Sequence, residues 1–259
     1  MTMDFYKYQG TGNDFIIVDN RRNKINKNNT KRIAEICDRR FGIGADGFIL
    51  LENDDFSDFK MVYFNSDGNE SSMCGNGGRC ITAFAHFLGL IEDESTFMAI
   101  DGIHKSKIID GLVYLQMQDV DKIEEHATHM FLDTGSPHHI KMVENLKDLN
   151  IKDEGAEIRY GQPYGKEGTN VNFVKQMSSK VFAVRTYERG VENETLSCGT
   201  GVTAVALAMH KSGKAKSSTI HLNTPGGDLK VTFESTQDGY RNIWLIGPAE
   251  QIFKGEIEW

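Results

Sequence analysis

One nine-residue pattern occurs twice in this 259-residue chain. Asn69-Glu70-Ser71-Ser72-Met73-Cys74-Gly75-Asn76-Gly77 and Asn193-Glu194-Thr195-Leu196-Ser197-Cys198-Gly199-Thr200-Gly201 both read N-E-x-x-x-C-G-x-G. The copies stand 124 residues apart, at Cys74 and Cys198, close to half the chain length. The register continues beyond the motif, with Ile81 meeting Val205 and Gly89 meeting Gly213. Such a repeat predicts two halves built on one plan. Each half is expected to wrap its strands around one Cys-led helix, because an apolar helix must be covered by something.

Patterning elsewhere favours strands. Asp14–Val18, Phe48–Leu51, Ser95–Ile100 and Val181–Tyr187 read as buried or half-buried strands, and Phe59–Phe64 as one covered on both faces. Leu229, Val231 and Phe233 alternate with polar residues, and Asp238-Gly239 turns the chain into Asn242–Ile246, the signature of a half-buried antiparallel sheet. Helical spacing is confined to four segments. They are Thr30 to Phe41 with Thr30 as N-cap, the two helices that start at Cys74 and Cys198 and end near Gly89 and Gly213, and a short one over Glu144–Leu149. The chain is therefore expected to be mixed α/β and dominated by sheet. Residues 1–118 form the expected N-terminal half carrying Cys74, completed by a returning strand in 251–259. Residues 119–250 form the C-terminal half carrying Cys198.

The charge balance limits partners. With 29 Lys+Arg against 37 Asp+Glu the formal net charge is −8, which disfavours long-range attraction to nucleic acid or an anionic membrane. No apolar run reaches the ~20 residues of a membrane span, and Met1–Gly10 has no continuous apolar core of a signal peptide. A cytoplasmic protein with reduced thiols is expected. Four cysteines, Cys37, Cys74, Cys80 and Cys198, are too few to staple a chain this long.

The repeated thiols stand where a glycine-rich turn opens a helix. The N–H groups there lack intrahelical partners and carry the positive end of the helix dipole, a setting that favours thiolate. Glycines 75, 77, 199 and 201 let a carboxylate approach those N–H groups closely. Two such ends facing each other across a cleft suit inversion at the α-carbon of an amino acid. One thiolate removes the α-proton, the opposite thiol reprotonates the other face, and the helix ends stabilise an enediolate-like intermediate. No cofactor and no metal is required by this scheme.

Other motifs do not survive their context. Gly42-Ile43-Gly44-Ala45-Asp46-Gly47 fits G-x-G-x-x-G but follows a helix and leads into a strand, the reverse of a dinucleotide site. His126-x-x-His129 has no second ligand pair and reads as two surface histidines. Gly226-Gly227 reads as a turn. Cys37 and Cys80 read as small packing residues, and Cys80 lies on a different helix face from Cys74.

Taken together, Gly12-Asn13-Asp14-Phe15, Phe64-Asn65-Ser66-Asp67-Gly68, Cys74-Gly75-Asn76-Gly77, Tyr187-Glu188-Arg189-Gly190 and Cys198-Gly199-Thr200-Gly201 resemble the diaminopimelate epimerases. The resemblance runs from Phe5 to Gly247-Pro248-Ala249-Glu250. It implies an α/β fold of α+β type with two pseudo-symmetric halves, each a mostly antiparallel barrel-like sheet around a central helix, and an active site in the cleft between them. It also implies interconversion of LL- and meso-diaminopimelate without a cofactor, in the synthesis of lysine and peptidoglycan precursors. By position, Cys74 and Cys198 match the catalytic cysteines, and His138 and Glu188 match groups that assist the thiols. Asn13, Asn65, Asn170, Glu188 and Arg189 match residues that hold the substrate. Gly75-Asn76 and Gly199-Thr200 match the backbone donors to the reacting carboxylate. Three positions depart: Ser136 stands where many relatives have Asn, Gly47 where some have Gln, and Gln9 where His is frequent.

The expected partner is a small amino acid, and a homodimer is left open. Two rivals remain at this level. A proline-racemase-like enzyme shares C-G-x-G, but a ring substrate offers no distal zwitterion for Arg189 and the asparagines. A thiol redox protein would use Cys74 and Cys198 as a reversible disulfide, with no need of two glycine-opened helix ends.

Overall fold

The computed structural model describes residues 2–71 and 73–259. Met1, and Ser72 at a variable position of the first repeat copy, lie outside the described residues. The chain divides into two compact units, Met1–Leu115 with Gly247–Trp259, and Gln116–Ile246.

In chain order the first elements are β1 (Thr2–Gly10), β2 (Asn13–Asp19), α1 (Thr30–Cys37), β3 (Gly47–Glu52) and β4 (Phe59–Asn65). They are followed by α2 (Gly75–Phe87), β5 (Glu94–Ala99), β6 (Gly102–Ile109) and β7 (Leu112–Gln116). The chain continues through β8 (Glu124–Glu125), β9 (Met130–Asp133), β10 (Pro137–Met142), α3 (Ile151–Tyr160) and β11 (Asn170–Gln176). Then come β12 (Val181–Glu188), β13 (Asn193–Thr195), α4 (Gly199–Lys211), β14 (Thr219–Thr224), β15 (Gly227–Thr236), β16 (Gly239–Gly247) and β17 (Glu250–Glu258).

Strand pairing repeats as the sequence does. In the first unit β1–β2 is antiparallel, β2–β3 parallel, β3–β4 antiparallel, β4–β5 parallel, and β5–β6 and β6–β7 antiparallel. The second unit gives the same series through β9–β10, β10–β11, β11–β12, β12–β14, β14–β15 and β15–β16. A parallel pair needs a crossover, and helices supply it: α1 and α3 in the first crossover of each unit, α2 and α4 in the second. Helices α2 and α4 have 13 residues each and end ahead of Gly89 and Gly213, which take φ of 69° and 72° as left-handed C-terminal glycines. Strand β17 lies antiparallel on β1, with Thr2 opposite Glu258 and Gln9 opposite Glu250.

Burial explains the patterning of the strands. Every residue of β3 is buried. Phe48 and Leu50 pack with Ile33 and Ile36 of α1 and with Ile16, Val18, Val62 and Phe64. Alternate residues of a strand point to opposite faces, and the Ile49 side chain lies against Gly77 of α2. In the second unit Ile151 of α3 packs with Val171, Phe173 and Tyr187. Residues Val202–Met209 of α4 are all buried, so this helix is enclosed on every side and contacts β9, β10, β11, β12, β14 and β15. The mixed α/β chain with few helices is as expected, and parallel pairs occur alongside the antiparallel majority.

Three local expectations are corrected. The cap of α1 is Asn29 rather than Thr30, its side-chain oxygen accepting from Arg32 N–H at 3.2 Å. That helix stops at Cys37, because the Asp38 carboxylate accepts from the N–H groups of Arg40 and Phe41 and turns the chain, leaving Phe41 92% exposed. No helix covers Glu144–Leu149; the helix begins at Ile151, with Asn150 accepting from Asp153 N–H. Its buried stripe of Ile151, Gly155 and Arg159 carries little apolar signal. Gly155 is required there because a Cβ would lie 2.4 Å from Tyr187 Cβ.

Candidate active site

Each repeated cysteine is the N-cap of its helix, with extended backbone at φ −94° for Cys74 and −123° for Cys198. The first helical hydrogen bonds run from Gly78 N to the Cys74 carbonyl (2.7 Å) and from Val202 N to the Cys198 carbonyl (2.9 Å). Neither first turn contains an acidic residue, so nothing there offsets the positive end of the dipole. Gly75-Asn76 and Gly199-Thr200 thus occupy the positions from which a helix binds an anion.

The first half-site is built by two turns meeting at the helix. Thr11 and Gly12 take φ of 52° and 87°, the two left-handed positions of a tight hairpin turn between β1 and β2, which leaves Asn13 at the start of β2. Asn13 Oδ1 accepts from Cys74 Sγ at 3.4 Å and from Asn76 Nδ2 at 3.3 Å. Beneath the turn the fully buried Arg79 guanidinium donates to Thr11 Oγ1 (3.1 Å) and the Pro248 carbonyl (3.4 Å). Burial holds its pKa below that of an ordinary arginine. Asn65 stands exposed at the end of β4, its N–H donating to the Asn69 carbonyl.

Sheet and helix approach closely because of glycine. A Cβ on Gly77 would lie 3.2 Å from Met61 and 3.3 Å from Ile49. Gly47 has no space for a side chain, since a Cβ would meet the Tyr63 ring at 2.4 Å. The departure at that position is therefore matched by the packing around it. Gln9 Oε1 accepts from Gly12 N–H, and its Nε2 donates to Glu250.

The second half-site is a network of hydroxyls and amides. Cys198 Sγ lies 3.4 Å from Thr200 Oγ1, which lies 3.3 Å from Ser136 Oγ. Ser136 Oγ also meets His138 Nε2 at 3.0 Å and accepts from Asn170 Nδ2 at 3.2 Å. The fully buried Asn172 donates to His138 Nδ1 (3.1 Å) and accepts from Thr186 Oγ1 (2.9 Å). A donor on Nδ1 leaves the His138 proton on Nε2, where it points at Ser136. Burial, with Arg189 adding to it, pushes the His138 pKa down to about 3, so the imidazole is neutral near pH 7. A Cβ on Gly201 would lie 2.5 Å from Asn172 Oδ1, so this glycine is what lets the amide sit under the helix.

Glu188 ends β12, Arg189 follows it in the turn, and both are held from several sides. Asn170 Oδ1 accepts from Arg189 N–H at 2.9 Å, and Arg189 Nη1 donates to the Glu167 carbonyl at 3.1 Å. Glu188 Oε2 accepts from Thr195 Oγ1 at 2.9 Å. The turn that follows is pinned by Glu192, whose carboxylate accepts from Gly190 N–H (3.0 Å), Tyr160 and Tyr187 (both 2.9 Å) and Arg159 (3.3 Å).

The structure thus joins Cys74, Asn13 and Asn76 in one half-site, and Cys198, Thr200, His138, Asn170 and Arg189 in the other. Asp46, Arg79, Asn172, Thr186 and Glu192 escaped the sequence reading. Arg79 had a usable signal, a lone charge in an otherwise apolar helix; the others had none. Cys37 and Cys80 are buried, and burial pushes each thiol up to about 12, as suits packing residues. His126 is exposed and His129 half-buried, as surface histidines; their rings stack at 4.4 Å, and His129 stacks on His139 at 4.2 Å. Among the described residues no group of three or more His, Cys, Asp or Glu is placed to hold a metal ion, and no helix is long and apolar enough to cross a membrane.

The family profile described as diaminopimelate epimerase matches residues 5–110 and 130–252. A diaminopimelate epimerase of Flavobacterium psychrophilum is 55% identical over 98% of this chain and 100% of its own length. One of Aquifex aeolicus is 35% identical, covering 98% of both chains. Among solved structures, a PhzF-family phenazine biosynthesis protein of Bacillus anthracis shares the fold at a TM-score of 0.80 and 16% identity, covering 100% of both chains. A hydroxyproline epimerase of Agrobacterium vitis does so at 0.66 and 15%, covering 99% of this chain and 92% of its own. The chain belongs to the diaminopimelate epimerase family of isomerases.

Proposed function

We propose that this protein interconverts LL- and meso-diaminopimelate by a two-base reaction without a cofactor, in the cytoplasmic synthesis of lysine and peptidoglycan precursors. The observation that carries this reading is the paired placement of Cys74 and Cys198 as N-caps of two equal helices whose first turns lack acidic residues. Each unit supplies one thiol and one anion-binding helix end. One thiolate takes the α-proton, and the other thiol returns a proton to the opposite face. Charge that develops on the carboxylate oxygens is met by the N–H groups of Gly75-Asn76 and Gly199-Thr200.

Arg189 suits the distal carboxylate as a bidentate donor, while Asn13 and Asn65 offer uncharged donors and acceptors to the rest of the substrate. Asn170 contributes through Arg189, because its carboxamide is already engaged by that residue's N–H, Ser136 and Pro137. Neutral His138 assists by fixing the hydroxyl pair of Ser136 and Thr200 beside Cys198. Glu188, held by Thr195, is the remaining carboxylate of the assisting set.

Incubation with LL-diaminopimelate in D₂O under reducing conditions tests the reading. Deuterium is expected at the α-carbon of the meso product. Absence of exchange and of meso product would remove this assignment.

A further inference from the structure

Asp46 lies in the glycine-rich segment that has no dinucleotide role, yet it is one residue away from a catalytic thiol. Its Oδ2 accepts from Asn13 Nδ2 at 2.7 Å. A carboxylate can only accept, so the edge of the Asn13 carboxamide that faces Asp46 must be the NH₂. The opposite edge is then the oxygen, which faces Cys74 Sγ at 3.4 Å and Asn76 Nδ2 at 3.3 Å. Asp46 is itself held. Its Oδ1 accepts from Arg39 Nη2 (2.8 Å), which also donates to Asp14 Oδ1 (2.6 Å), and Asp14 Oδ1 accepts in turn from Asp46 N–H (3.1 Å).

An amide oxygen accepts from a thiol and repels a thiolate. The carboxamide orientation therefore discriminates between the two states of Cys74. At the other half-site the Thr200 hydroxyl lies beside the sulfur and can donate to a thiolate. We propose that Asp46 is a positioning residue that orients the Asn13 carboxamide and so keeps the proton on Cys74 in the free enzyme, leaving Cys198 as the thiol that ionises first.

Arg79 and Cys80 on α2 interact electrostatically with Cys74, and the Asn13 carboxamide links that thiol to an ion-pair cluster of Asp46 ahead of β3, Arg39 beyond α1, Asp14 of β2 and Lys7 of β1. Lys7 and Arg39 offset Asp14 and Asp46, so Asp46 acts through hydrogen-bond direction rather than through net charge. The inference rests on the epimerase reading for its meaning in turnover, but its test needs no substrate.

Alkylation of Cys74 by iodoacetamide, followed by mass spectrometry from pH 6 to 10, reads the ionisation of that thiol. In Asp46→Asn the carboxamide is free to turn its NH₂ toward the sulfur, and the alkylation midpoint of Cys74 is expected to fall by about 1 pH unit. The midpoint of Cys198 stays unchanged. In an Asn13→Leu background, Asp46→Asn is expected to shift nothing further, because the carboxamide that transmits the effect is gone. An equal shift in both backgrounds would show Asp46 acting as a bare charge and overturn the proposal, as would no shift with Asn13 present. A second measurement does not depend on how the Asp46 variants fold. The infrared S–H band that Cys74→Ser abolishes is expected in the wild-type protein at pH 7, and its absence there would also overturn the proposal. Failure of the diaminopimelate exchange assay would leave these readouts standing, so the two ideas fail separately.

Discussion

The two half-sites share a backbone plan and differ in the side chains set beside the sulfur, Asn13 at Cys74 and Thr200 at Cys198. Both cysteines cap 13-residue helices, both helices lie in the crossover of a parallel strand pair, and both first turns are rich in glycine. Around Cys74 the next groups are a carboxamide oxygen and then a cluster of charges, Asp46, Asp14, Arg39 and Lys7. Around Cys198 they are hydroxyls, buried amides and a neutral imidazole. The helix end supplies what any carboxylate needs and is duplicated. In the proposed reaction the side-chain surroundings decide how each thiol handles a proton and how the far end of the substrate is held, and those surroundings are unequal.

The largest effect expected is on the shared feature. Cys74→Ser and Cys198→Ser should each lower turnover of LL-diaminopimelate by about 10²–10⁴-fold, the range for losing one acid/base group, followed by meso product formation. Near-normal turnover in either variant would break the equivalence of the two thiols.

A smaller effect separates the helix ends. Gly201→Ala places a methyl group 2.5 Å from Asn172 Oδ1, whereas Gly77→Ala meets the flexible end of Met61 at 3.2 Å. The first should cost about 1–3 kcal/mol of stability by overpacking against a buried amide, and the second less. Urea denaturation of the two variants would show the order. Asn172→Ala should cost a similar amount, because His138 Nδ1 and the Thr186 hydroxyl lose their partner in the interior.

Acid should act on the second unit through its buried imidazoles. His138 and His139 are each pushed from 6.5 to about 3, chiefly by burial. The folded state therefore binds fewer protons than the unfolded state between those values. The stability associated with the neutral rings is fully present above about pH 6.5 and is lost progressively as the pH falls toward about 3. Denaturation midpoints from pH 7 to 5 should fall less steeply in His138→Asn than in the wild type. Equal slopes would contradict the neutral, buried state of this ring. The smallest effect is reserved for a thiol outside both sites: Cys37→Ala should leave turnover within about twofold, as expected of a packing residue.

Much of this was legible in the sequence because it is carried by local rules. The repeat located both cysteines, both helices and the glycines that end them, and apolar runs and period-two patterning located β2, β3, β4, β5, β12, β15 and β16. Helix α3 was missed because its buried stripe is an isoleucine, a glycine and an arginine, which carry no apolar period. Asn29 rather than Thr30 as the cap of α1 is a one-residue shift between two acceptable capping residues. At the site, Asn13, His138, Asn170 and Arg189 could be named from the family resemblance, but the partners that orient them could not. Asp46 precedes a strand unremarkably, Asn172 alternates with apolar neighbours in β11, and Glu192 sits in a turn with φ 57°.

The sequence by itself determined that two equivalent glycine-opened helix ends each carry a thiol, because a helix start is a short-range feature written within a few residues. Only the tertiary structure decided that Asn13 faces Cys74 with its oxygen, that His138 is neutral with its proton toward Ser136, and that Arg189 hangs from Asn170. Those states depend on which donors and acceptors are brought within about 3 Å from distant strands, and on how much water the packing removes. No local pattern specifies either quantity.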